Sequence, residues 1–159
     1  MRRALTLVLA GGVVAGTLDI TYACTFWAVK RGVPAQRIMQ SVAAGLLGEA
    51  SFTGGRATAA LGLALHYFIA ISMSVAYYLV ARRWPLLWQR PVASGAAYGL
   101  LLYGIMNYIV VPLSAAGPRS SDPLWIVLSI IVHAFLLGVP IALFVRRAAG
   151  SHAFQALSE

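Results

Sequence analysis

Residues 5–29, LTLVLAGGVVAGTLDITYACTFWAV, decide the fold. Everything in the run is apolar, small or weakly polar except one acid, Asp19. About 20 apolar residues in a helix cross the ~30 Å hydrocarbon core of a bilayer, and this run is longer than that. It therefore reads as a membrane-spanning helix. An ionisable side chain at such depth is costly and is expected to face protein or water rather than lipid. The rest of the chain is expected to pack around this helix.

Composition extends the reading to the whole molecule. Only 10% of the 159 residues are charged and 60% are hydrophobic. Soluble domains carry roughly a quarter charged residues, so an all-α integral membrane protein is expected, with no separate soluble domain. Four spans follow from the apolar runs, at 4–29, 57–81, 91–111 and 123–145. Their ends carry stop and start signals. Lys30, Arg31 and Gly32 close the first, and Arg82 and Arg83 the second. Pro91 suits the first turn of the third, which is expected to stop at Pro112. Asp122 followed by Pro123 is an N-cap acid before a first-turn proline. Pro140 is expected to kink the fourth span, which ends at Arg146 and Arg147. Trp27, Trp84, Trp88 and Trp125 all fall at these ends, where interfacial aromatic belts lie.

Residues 34–48 are different. Ile38, Met39, Val42, Leu46 and Leu47 fall on one side of a helix, with Gln36, Arg37, Gln40 and Ser41 on the other. The segment is too short to span, so an amphipathic helix on the membrane surface is expected. Residues 148–159 read as a flexible tail.

The net charge of +8 does not point to nucleic acid, because the bases cluster at span ends, where headgroups and topology place them. Membrane lipids are the expected partners, with a homo-oligomer or larger membrane complex compatible. Four spans put both termini on one side. Arg2, Arg3, Arg82, Arg83, Arg90, Arg146 and Arg147 then share that side, against Lys30, Arg31, Arg37, Arg56 and Arg119. The bias favours cytoplasmic termini. Arg2 and Arg3 before an apolar run also suggest a signal peptide, but the run is too long for one, so an uncleaved first helix is expected. A lone Cys24 leaves no internal disulfide.

Asp19, His66, Asn107 and His133 place one strongly polar side chain in each span. Counted from the shared outer ends, Asp19, His66 and His133 lie ~14–15 Å deep and Asn107 ~6 Å. The pairs Gly12/Gly16 and Gly95/Gly99 have the spacing of close helix contacts. Asp19 follows Gly16 by three residues and shares its face. A buried Asp19/His66/His133 layer is the candidate site, with Asn107, Tyr22 and Tyr103 as candidate flanking partners.

The leading expectation is a non-enzymatic protein in which this layer stabilises the bundle or an oligomer. Buried polar contacts fix helix register, though each contributes only about 1–2 kcal/mol in a membrane. The alternative is a small transporter or proton- or ion-handling protein, since intramembrane Asp/His sets form relays and histidine is the usual proton switch. A third is a haem or metal subunit with His66, His133 and Asp19 as ligands. No cofactor is expected on the leading reading. No P-loop, G-x-S-x-G, H-E-x-x-H or paired-cysteine motif is present.

Residues 16–20 (GTLDI), Leu65-His66 through Tyr78, Pro112-Leu113, and His133 through Ile141 resemble a group of small bacterial inner-membrane proteins of unknown function. The second half, 65–147, distantly resembles the YagU-like family. The resemblance implies a four-helix protein of the bacterial inner membrane and carries no activity, substrate or catalytic residue.

Overall fold

The computed structural model describes residues 2–118 and 120–150, and these are helical apart from short connections, with no strand. Four helices are long and apolar enough to cross a membrane: α1 (Arg2–Arg31), α3 (Gly55–Ala81), α5 (Pro91–Leu113) and α6 (Pro123–Ala149). Two short α-helices, α2 (Ala35–Leu47) and α4 (Leu86–Gln89), and a 3-10 helix at Gly48–Phe52 fill connections. Arg119, counted above in the charge bias, and residues 151–159 of the expected tail lie outside the described residues.

The first helix is central, packing on both α3 and α6. Its glycines make this close. A Cβ on Gly12 would sit 2.6 Å from the Ile71 Cα, and one on Gly11 2.8 Å from the Phe144 Cβ. Hydrogen bonds reinforce the α1–α3 seam: the Ser74 hydroxyl donates to the Val8 carbonyl at 2.7 Å, and Thr17 and Tyr67 pair their hydroxyls at 2.9 Å. Toward the end that carries both described termini, Val8, Ala15, Ile141 and Val145 form a fully buried core. Large apolar side chains such as Phe68, Leu101 and Phe135 point outward.

Both later spans contain a widened, π-helical turn. It covers Met106–Val110 in α5 and His133–Gly138 in α6. Each lies over the carbonyl that a proline one turn on cannot bond, Tyr108 for Pro112 and Leu136 for Pro140. Such local adjustments let a spanning helix satisfy groups freed by proline. Helix α5 accordingly runs past Pro112 to Leu113 instead of stopping there. The α5–α6 seam is again glycine-lined. A Cβ on Gly99 would run into the His133 carbonyl, and one on Gly138 into the Gly95 carbonyl.

Two expectations need correction. The helix at 34–48 packs on α3, and its packed side takes in Gln40 from the expected polar side, with Ile38, Met39 and Val42 of the apolar side partly buried. Gln40, Ala43 and Ala44 are buried while Leu46 and Leu47 are exposed. The reason is polar and steric together. The Gln40 amide donates to the Gly55 carbonyl at 3.0 Å and to Thr58 Oγ1 at 3.2 Å, and both acceptors lie in the first turn of α3. The small residues beside it let the Met39 backbone meet α3 at Gly62, where no Cβ would fit. The chain reaches this position through Gly32, whose φ of +64° is in the left-handed region that glycine tolerates. The second correction concerns the tail. Ala148 and Ala149 continue α6 and are buried, so the ordered chain extends at least to there.

The two glycines of α5 that differ most in surroundings provide a test. Gly104 has open space where a Cβ would go. Gly99→Ala is expected to destabilise by about 1–3 kcal/mol through overpacking, whereas Gly104→Ala is expected to be neutral or slightly stabilising. Thermal unfolding in detergent compares them, and equal effects would contradict this packing.

Candidate functional site

Asp19, His66 and His133 come from α1, α3 and α6 and line one cavity of about 190 Å³. Each is brought there by its seam. A Cβ on Gly16 would lie 3.5 Å from His66 Nε2, so the glycine leaves the ring room against α1. His66 Nε2–H donates to the Gly16 carbonyl at 2.8 Å. His133 opens the π-helical turn of α6, and its Nδ1–H donates to the Ser129 carbonyl of its own helix at 2.9 Å. Each neutral imidazole thus has one nitrogen committed as a donor, which leaves the other as an acceptor.

Asp19 is held differently. Its Oδ1 is 3.9 Å from His133 Nδ1, beyond hydrogen-bond reach and with that N–H already directed at Ser129. Among the described residues the carboxylate accepts no hydrogen bond. The Asp19 and His133 side chains keep 20% and 17% exposure. The three residues therefore surround a space instead of forming a packed, dry layer. This placement changes the role that each can have. Of the three, only His66 makes a hydrogen bond from one helix to another.

Helix α2 covers the cavity with Ile38, Ser41 and Val42, and the outer rim is aromatic. Tyr22 stacks on Trp125 with centroids 5.3 Å apart and planes at 7°, and Trp27 also lies against Trp125 at 5.3 Å. Tyr22 therefore belongs to this cavity, its hydroxyl 3.5 Å from Ser129 Oγ. Asn107 does not. It donates to the Tyr103 carbonyl at 3.0 Å within α5, and both residues line a second cavity of about 760 Å³ with Pro118, Ser120 and Ser121. Tyr103 still touches the first site, its ring edge-on to His133 at 5.4 Å. Ser41 and Trp125 line both cavities.

Sequence reasoning did not find Ile38, Ser41, Val42, Trp27 or Trp125 as cavity walls. The tryptophans carry the composition of an interfacial belt, and nothing in the spacing of α2 says which surface it covers. The Ile38/Val42 stripe was visible, but its target was not.

The outer rim is latched by charge. Lys30 at the end of α1 pairs with Asp122, which also caps α6 by accepting the Trp125 N–H at 3.1 Å. The Lys30 ammonium, and after it the Trp125 N–H, hold the Asp122 carboxyl below its ordinary range. No family model matches this chain, and no curated protein or solved structure matches it. Among the described residues no group of three or more His, Cys, Asp or Glu is arranged to hold a metal ion.

A lowered folded-state value means that the latch stabilises fully above the unfolded carboxylate range of about 4 and weakens as pH falls through the folded value. Wild type is therefore expected to lose thermal stability more steeply than Asp122→Asn as pH drops below about 4. Parallel unfolding profiles across that window would contradict the latch.

Proposed function

We propose that this is a multi-pass protein of the bacterial inner membrane, with both termini cytoplasmic, that binds and handles a cation or proton in the Asp19–His66–His133 cavity. The supporting observation is the condition of Asp19. A carboxylate that stabilised helix packing would be hydrogen-bonded across a seam, because a buried charge is otherwise costly. Here Asp19 lines a cavity, and the His133 imidazole stands 3.9 Å from its carboxylate, beyond hydrogen-bond reach. Intramembrane ionisable groups that line cavities mark ion and proton pathways.

The bundle-stabilising reading retains one favourable observation, the His66 bond to Gly16 across the α1–α3 seam. Ser74 and Tyr67 serve the same seam without titrating side chains in the cavity, so the seam does not need Asp19. The haem reading fits poorly, because a cavity of about 190 Å³ has no room for a porphyrin. Lipid acyl chains are the proposed cover for the outward apolar side chains.

Reconstitution tests the proposal. Proteoliposomes loaded with a pH indicator and given a potential are expected to show protein-dependent proton or monovalent-cation flux. Asp19→Asn is expected to lower it by about tenfold or more, equivalent to ~1.4 kcal/mol, while thermal stability stays near wild type. Flux that is absent, or unchanged in Asp19→Asn, would overturn the proposal.

A further inference from the structure

The cavity is specific about what it can hold. Resting on the cation-handling reading, we infer that its ligand is a small ammonium ion bearing N–H groups, of the size of ammonium or a short primary alkylammonium. Three features of the lining carry this.

The first is acceptor chemistry. Asp19 contributes a carboxylate that no described residue hydrogen-bonds. His66 donates through Nε2 to Gly16, and His133 donates through Nδ1 to Ser129. With those protons fixed, His66 Nδ1 and His133 Nε2 of the neutral rings are acceptors. A carboxylate and two imidazole acceptors complement a cationic group with several N–H donors. They do not complement an anion, and a quaternary ammonium would leave them unmatched.

The second is the aromatic rim. Tyr22, Trp27 and Trp125 line the same cavity; Tyr22 and Trp125 stack on each other and Arg31 lies over Trp27, so the rim offers a cation only the ring surface these contacts leave open. The neighbouring cations do not occupy the cavity. Lys30 is paired with Asp122 and lies over Phe26, and the Arg31 guanidinium sits over the Trp27 ring at 5.5 Å.

The third is size. The cavity volume of about 190 Å³ is below the ~300–1,000 Å³ of sites for drug-sized molecules. It suits an ion of a few heavy atoms. A larger cavity of mixed polar and apolar lining, which includes Asn107, Ser120 and Ser121, shares Ser41 and Trp125 with it.

The test is a binding titration on full-length protein in lipid nanodiscs, at fixed pH and ionic strength. The probes are methylammonium chloride, tetramethylammonium chloride and sodium chloride, and the readouts are tryptophan fluorescence and thermal shift. Methylammonium is expected to give a saturable response. Tetramethylammonium and sodium are expected to bind about tenfold more weakly or worse, as is methylammonium to Asp19→Asn; tenfold is ~1.4 kcal/mol. Asp19→Asn is close in shape to wild type, and its unfolding temperature without ligand checks that it is folded. Should it not fold, Asp19→Glu replaces it, expected to keep methylammonium binding with altered affinity.

Equal responses to the three salts, or a methylammonium response unchanged in Asp19→Asn, would overturn the inference. If methylammonium fails while proton flux still depends on Asp19, the ligand class is wrong and the cation-handling reading stands. If neither binding nor flux depends on Asp19, both fall.

Discussion

An acid in the middle of a helix long and apolar enough to cross a membrane needs a polar environment, because hydrocarbon offers none. In this chain that constraint falls on Asp19, and the architecture answers it with a cavity instead of a packed ion pair. Three helices deliver polar side chains to one cavity, and a fourth element, α2, adds Ile38, Ser41 and Val42 to its lining. The imidazoles are oriented by backbone carbonyls, His66 by Gly16 and His133 by Ser129. Their orientation therefore does not depend on Asp19, and the carboxylate remains available to something that enters.

The two ends of the bundle are built to different densities. Toward the described termini, glycines and alanines bring α1 against α3 and α6, and Val8, Ala15, Ile141 and Val145 are fully buried. Toward the Lys30 end, α2 and the π-helical turns hold the helices around open space. The turns follow from Pro112 and Pro140, and the wide turn of α6 begins at His133 itself. Proline, π-helical turn and functional side chain thus form one local device, in keeping with the frequent placement of such turns at functional sites. The Lys30–Asp122 pair then fixes the rim by joining the end of α1 to the cap of α6, one turn from Trp125.

Much of this was legible in the sequence. Length and hydropathy located all four long helices, because apolar runs of this kind leave few alternatives. Counting residues from shared ends placed Asp19, His66 and His133 at one level, and the structure puts them around one cavity. Gly12, Gly16, Gly95 and Gly99 were identified as contact residues from spacing alone, and each sits where a Cβ would be crowded. Asn107 lies with Tyr103 along a separate cavity and does not line the one that holds Asp19. What the sequence could not express was long-range partnership. Gln40 looked solvent-facing because its acceptors, Gly55 and Thr58, lie in a different helix. The π-helical turns were hidden as well, since periodicity over five or six residues does not separate them from an α-helix with a proline kink.

Asp19 lines a cavity walled by Trp27 and Trp125 near the Lys30 end of the bundle, while Val8, Ile141 and Val145 fill the end toward Arg82. The most direct measurement is side-specific labelling of Asp19→Cys by a membrane-impermeant thiol reagent, in intact membranes and with Cys24→Ser as background. Modification from the face carrying Lys30, with an Ala15→Cys control unreactive from either face, is the result this structure predicts. Modification only from the face carrying Arg82, or only after the membrane is dissolved, would contradict it.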